Sequence, residues 1–252
     1  MFSADRKIYN SKGEIMMKIM VINPNSSVDM TNHIEKILKG VKRPETDLVV
    51  TCPDKGPVAV ESAYDALLAA YYSMDLVKKA NQDNYDAVVI ACFSDPGLVA
   101  MKEVSDILVV GIEEVSLHIA AMLGNKFTIL TPTKKRIPAK YNDVWRNKLP
   151  FNLSSVREIG MTVTEAEGKP NVAKKRIIEI AKRAVVEDGA EVIILGCAGM
   201  TGYAEEIEKE LNIVVIDPTL VTFKYAESMV EAGVKQSKRA LYAHPSEKEY
   251  KV

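Results

Sequence analysis

Asp86-Ala-Val-Val-Ile-Ala-Cys92 and Glu191-Val-Ile-Ile-Leu-Gly-Cys197 share one pattern: an acidic residue, four apolar residues, a small residue and a cysteine. A short apolar run of this kind suits a strand covered by helices on both faces, as in a parallel sheet. Two further pieces repeat in the same order and at nearly the same spacing. Lys18-Ile-Met-Val-Ile-Asn-Pro-Asn25 parallels Lys126-Phe-Thr-Ile-Leu-Thr-Pro-Thr133, and Ile107-Leu-Val-Val-Gly111 parallels Ile213-Val-Val-Ile-Asp217. One such match means little, because buried strands resemble one another. Three in order predict two copies of one unit, related by a pseudo-twofold axis. That axis brings the C-terminal ends of equivalent strands, and with them Cys92 and Cys197, to opposite sides of one cleft.

Outward from these strands, β-branched runs alternate with helical-period segments, which predicts parallel strands joined by crossover helices. Strands are expected at 18–22, 47–51, 87–92, 107–112, 126–130, 156–163, 191–195 and 213–216. Covering helices are expected at 28–41, 60–80 and 171–187, the last stopped by Asp188-Gly189. The fold class is α/β: two pseudo-symmetric three-layer α/β domains with mainly parallel four-stranded sheets, and an active site in the cleft between them. Residues 17–120 with 219–252 are expected to form the first domain, carrying Cys92, and residues 121–218 the second, carrying Cys197. Met16 and Met17 stand directly before the first strand, so residues 1–16 read as a loosely ordered N-terminal extension.

Composition narrows the function. With 252 residues, 47% hydrophobic and 27% charged, the chain has the apolar mass of an ordinary globular protein. Its 34 acidic and 33 basic residues give a formal charge of -1, so no global field draws nucleic acid or an anionic membrane. A small neutral or mixed-charge ligand fits better. The longest apolar runs hold about seven residues, against the roughly 20 that cross a bilayer. The N-terminus lacks an apolar secretion core, so a cytoplasmic location is expected. Three cysteines without a CxxC motif point to reduced thiols rather than disulfides. His33, His118 and His244 cluster with no other ligand at metal spacing, so no zinc or iron site is expected.

Chemistry therefore falls to side chains at the carboxyl ends of the strands, where ligands gather in open parallel sheets. Both cysteines sit there, ahead of an expected helix start. Asp95 suits an N-cap and Pro96 the first helical position, while Ala198-Gly199-Met200-Thr201-Gly202 lets backbone amides approach a ligand. A helix N-terminus would lower a thiol pKa from about 8.5 and stabilise an oxyanion. One thiolate and one thiol could then remove a proton from a carbon beside a carbonyl and return one from the opposite face, inverting it. Core packing accounts for a single buried cysteine, and suffices for Cys52, but gives no reason for both equivalent strands to end in one. Asn23-Pro24-Asn25-Ser26 could hold a carbonyl or urea-like group or could be a turn, with Ser27 capping the next helix; Thr131-Pro132-Thr133 lies at the matching place in the second half. Glu61 and Asp65 suit a helix start, and Glu114 with His118 a helix-surface pair. Among the motif loops only Arg136, downstream of Thr133, supplies a fixed positive charge of the kind an amino-acid racemase would need.

Asn23-Pro24-Asn25-Ser26, Glu61-Ser62-x-Tyr64-Asp65, Ala91-Cys92-Phe93-Ser94-Asp95-Pro96-Gly97-Leu98 and Leu195-Gly196-Cys197-Ala198-Gly199-Met200 together resemble the hydantoin and allantoin racemase branch of the aspartate/glutamate racemase superfamily. Ser237-Lys238-Arg239 and Tyr242-Ala243-x-Pro245 resemble the tail of hydantoin racemases. The resemblance implies cofactor-independent, two-base racemisation of 5-substituted hydantoins or allantoin by a homo-oligomer. It implies Cys92 and Cys197 as the acid and base, and Asn23, Asn25, Ser26, Ser94, Thr131, Thr133 and Gly199 around the ring-binding pocket. Relatives with paired cysteines include amino-acid racemases, isomerases and decarboxylases, so the scaffold alone does not choose the carbon acid, and a non-catalytic module whose duplicated domains clamp a small molecule without turning it over is the alternative from another class.

Overall fold

Near-continuous apolar runs become the strands, and the segments of helical period between them cover both sheet faces. A computed structural model of the chain describes residues 8–9 and 15–246. In the first half, β1 (Ile8–Tyr9), β2 (Ile15–Ile22), β3 (Thr46–Thr51), β4 (Ala87–Ile90) and β5 (Leu108–Gly111) form one sheet. Its spatial order is β3-β2-β4-β5, all parallel, with β1 added antiparallel to the start of β2. In the second half, β6 (Phe127–Thr131), β7 (Leu153–Glu158), β8 (Val192–Leu195) and β9 (Val214–Ile216) run parallel in the order β7-β6-β8-β9. The parallel strands of the two sheets thus follow the same order, and the duplication holds in topology as well as in sequence. Even the bonds beyond the strand ends repeat: Ala91 N–H donates to Ile22 O at 2.8 Å, and Gly196 N–H to Leu130 O at 2.7 Å.

The covering helices are α1 (Val28–Val41), α2 (Ala63–Gln82), α3 (Leu98–Val104), α4 (Ile112–Leu123), α5 (Ile137–Arg146), α6 (Val163–Gly168), α7 (Pro170–Asp188), α8 (Ala204–Leu211) and α9 (Pro218–Ala232). Strand residues divide between two faces with a period of two. Ile19, Val21, Ala87 and Val89 of the first sheet share one buried cluster with Ile129, Val192 and Ile194 of the second, joined by Ile34 and Leu38 of α1, Leu117 of α4 and Phe223 of α9. The alternate residues Met20, Ile22, Val88 and Ile90 pack beneath Val77 of α2 and Met101 of α3. Leu130, Ile193 and Leu195 pack beneath Ile177 and Ala181 of α7 and Ile207 of α8. Each buried Val, Leu, Ile, Met or Phe side chain among them contributes about 1.5–3 kcal/mol. A core that includes both sheets therefore fixes where their strand ends stand. Among the described residues no helix is long and apolar enough to cross a membrane.

Several boundaries differ from expectation, each for a local reason. The helix after Cys92 starts at Leu98, with Gly97 as its N-cap, instead of being capped by Asp95 with Pro96 in its first position. Asp95 adopts a left-handed φ of 41° and turns its carboxylate to the start of α4, accepting from Glu113 N–H at 3.0 Å and Glu114 N–H at 2.7 Å. After Cys197 there is a single 3-10 turn, Ala198–Met200, rather than an α-helix. The strand expected at 156–163 lies at Leu153–Glu158; Gly160 follows at φ 68°, and Thr162 with Glu165 closes a capping box that opens α6. Helix α2 begins at Ala63 rather than 60, because the Ser62 hydroxyl accepts from Asp65 N–H. The Asp188-Gly189 stop holds, Gly189 taking a left-handed φ of 67°. Within the N-terminal extension, β1 pairs with β2, which itself starts at Ile15; residues 1–7 and 10–14 lie outside the described residues.

Candidate active site

The loops leaving β2, β4, β6 and β8 converge on one cleft between the two sheets. Its walls carry Cys92 and Ser94 from the first half, and Thr131, Thr133 and Cys197 from the second. The cleft holds about 520 Å³ of empty space, its open mouth included.

Local geometry presents each sulfur differently. After Cys92 the chain turns tightly: Ser94 N–H and Asp95 N–H both donate to the Cys92 carbonyl, and the Ser94 hydroxyl lies 3.3 Å from Cys92 Sγ. Cys197 caps the 3-10 turn that follows it, its sulfur accepting from Gly199 N–H at 3.4 Å. Gly196, just before it, passes so near β6 that an added Cβ would stand 2.4 Å from Leu130 O, which restricts the position to glycine.

Both cysteines are partly exposed at the residue level, yet their thiols lie deep enough for burial to govern their ionisation. Burial pushes the Cys92 thiol up, opposed by the Ser94 hydrogen bond and by the charges of Lys140 and Arg136. Burial pushes Cys197 further, up to about 12, opposed by the Gly199 N–H and reinforced by Cys92, Glu167 and Glu61. The expected lowering by helix N-termini does not occur. Helix α3 starts only at Leu98, with Gly97 rather than Cys92 as its N-cap, and the 3-10 turn after Cys197 gives its sulfur a single N–H.

Of the residues singled out in sequence, Cys92, Cys197, Asn25, Ser94, Thr131 and Thr133 lie on the cleft wall. Asn23, Ser26 and Gly199 lie outside that lining. Asn23 is fully buried and donates to Asn25 Oδ1 at 2.8 Å and Thr31 Oγ1 at 3.0 Å, so it orients Asn25. Ser26 donates to Gly56 O, Gly199 supports the Cys197 sulfur, and Ser27 caps α1 as expected. The Thr131 hydroxyl is buried with no protein partner, an arrangement that calls for a ligand or water.

Three charged wall residues were not among the expected site residues: Glu61, Arg136 and Lys140. Glu61 precedes α2 and accepts from Val163 N–H at 2.7 Å, bridging the two halves beside the cleft. Lys140 is buried and reaches across to Phe93 O, beside Cys92. Arg136 stood in the sequence only as a residue downstream of Thr133. The expected shortage of positive charge near the cysteines is thus overturned, because a lysine from α5 closes over the other half's loop. The Glu114–His118 surface pair is also absent: the Glu114 carboxylate pairs with Lys102, and His118 Nδ1 bonds the Glu114 carbonyl.

Comparison with known proteins gives a consistent result. The family model described as Asp/Glu/Hydantoin racemase matches residues 19–226. A hydantoin racemase of Pseudomonas sp. (strain NS671) is 40% identical over 93% of this chain and 94% of its own, and one from Paenarthrobacter aurescens is 37% identical over 93% and 100%. Among solved structures, an allantoin racemase from Klebsiella pneumoniae superposes with a TM-score of 0.90 at 31% identity, covering 94% of this chain and 96% of its own. A glutamate racemase from Francisella tularensis, 18% identical at a TM-score of 0.62 over 88% of this chain and 84% of its own, shares the fold.

Proposed function

The chain belongs to the Asp/Glu/Hydantoin racemase family, and from that premise we propose that it racemises 5-substituted hydantoins or allantoin, using Cys92 and Cys197 as acid and base without a cofactor. Its relatives' names place it among the isomerases. The observation that carries the mechanism is one cleft lined by two cysteines at pseudo-equivalent positions, each two residues beyond the end of its strand.

In one direction a sulfur, as thiolate, removes the proton from the ring carbon beside the carbonyl. The electron pair moves into the carbonyl as an enolate, and the opposite sulfur, as thiol, delivers its proton to the other face. The second sulfur ends as the thiolate, and the reverse reaction uses the same groups with roles exchanged. Cys92 is the sulfur that ionises more readily: Lys140, Arg136 and Ser94 favour its thiolate, whereas Glu167 and Glu61 disfavour that of Cys197. Asn25 and the Thr131 and Thr133 hydroxyls supply polar groups for the ring, and a donor on the enolate oxygen would stabilise it as it forms. In this reading, residues 17–120 with 219–252, of which 247–252 lie outside the described residues, form the unit bearing Cys92 and residues 121–218 the unit bearing Cys197.

Incubation with an L-5-substituted hydantoin or with allantoin in deuterated water tests the activity. The expected result is loss of optical rotation together with deuterium uptake at the ring carbon. Absence of both across several substituents and allantoin would remove this substrate class. Because Arg136 on the wall could hold a carboxylate, aspartate and glutamate are to be run alongside. Their racemisation in place of hydantoins would favour an amino-acid racemase.

A further inference from the structure

Burying an ammonium is costly, and an apolar side chain of similar size often serves a core as well or better. Lys140 is nevertheless only 1% exposed. It lies on α5, in the half that carries Cys197, and spends its three donors on Phe93 O at 2.5 Å, Glu113 Oε1 at 2.6 Å and Asp143 Oδ2 at 2.9 Å. Phe93 directly follows Cys92, and Glu113 opens α4, whose first turn is capped by Asp95 from the same loop. One ammonium thus ties the peptide beside Cys92 to an element of the opposite half. Lys140 also lines the cleft with both sulfurs.

We propose that Lys140 is a positioning residue for the reaction: it clamps the Cys92 loop against α5, setting one sulfur relative to the other, and holds a fixed positive charge where the Cys92 thiolate forms. The inference rests on Cys92 being a proton carrier. The groups around the clamp are consistent with it. Facing Lys140 are Glu113 and Asp143, with Asp143 also paired to Arg146; facing Cys92 are Lys140, Arg136, Asp95 and, across the cleft, Cys197. Burial pushes the Glu113 carboxyl up against the pull of Lys140, so it neutralises the ammonium less readily than an exposed carboxylate would.

Alkylation by iodoacetamide, followed cysteine by cysteine through peptide mass spectrometry, reads the thiolate without any substrate. In Lys140→Met at pH 8, Cys92 is expected to react about tenfold more slowly or worse than in the parent, as befits loss of a nearby opposite charge. Cys197 should change less than about twofold on the same ground, and Lys140→Arg should recover most of the Cys92 rate. An unchanged Cys92 rate, or equal changes at Cys92 and Cys197, overturns the proposal. Should Lys140→Met fail to fold, Glu113→Gln carries the test: removing a carboxylate that competes for the ammonium should speed Cys92 alkylation at pH 9, and no change overturns it. The two readings fail separately. Slowed alkylation with no parent racemisation sinks the racemase and spares the clamp, whereas racemisation with unaltered alkylation sinks the clamp alone.

Discussion

Cys92 and Cys197 occupy equivalent places in a duplicated fold, yet their surroundings differ, and the difference has a consequence for pH. The proposed proton relay needs one thiolate and one thiol, and burial raises both thiols above the ordinary value of about 8.5, Cys197 to about 12. At neutral pH the free enzyme therefore holds little thiolate. The ratio kcat/KM should climb close to tenfold per pH unit below the first ionisation, and should not fall for want of a thiol until near the second. A pH–rate profile checks this; a maximum below pH 7 would contradict it. At this scale the two cysteines were legible because a repeat marks both members, while Cys52 lacks a counterpart. Lys140 was not legible. Its burial comes from Phe93 and Glu113, far away in sequence, and a lysine near Arg136 on an amphipathic helix looks like an ordinary surface residue.

Element interiors follow from the sequence better than their ends. The alternation of Ile19 and Val21 with Met20 and Ile22 puts apolar residues on both faces of β2, which is why the strand reads as an unbroken run. Ends depend on which backbone groups find a cap. Asp95 followed by Pro96 suits an N-cap, but the carboxylate satisfies two N–H groups of α4 instead, and sequence spacing does not reveal that long-range choice. Thr162 and Glu165 are a local signal: their reciprocal bonds open α6 beside the cleft, within the stretch whose apolar pattern suits a strand to 163. Thr162→Ala should cost α6 about 1 kcal/mol. Hydrogen exchange provides the measurement: amides of Val163–Gly168 should exchange faster while those of β6 and β8 do not change. Unaltered protection of α6 would mean the cap contributes nothing.

For the whole molecule, the repeat within the sequence established the architecture, since matching strands in matching order imply matching sheets. The core residues shared by the two sheets then set their carboxyl ends across one cleft. What the repeat could not convey is how the halves are tied beside that cleft, by Glu61 to Val163 N–H in one direction and Lys140 to Phe93 O in the other. These ties lie between segments with no sequence relation to each other. They frame a site in which, on the proposed mechanism, each half serves one face of the substrate, and separating the two faces tests that division. Cys92→Ser and Cys197→Ser are to be incubated separately with each enantiomer of a substrate the parent racemises, in deuterated water. Each variant should lose racemisation by about 10²–10⁴-fold while exchanging the ring proton of one enantiomer, a different one in each variant. Racemisation at the parent rate in either variant, or exchange of the same enantiomer by both, would contradict a proton relay between the two sulfurs.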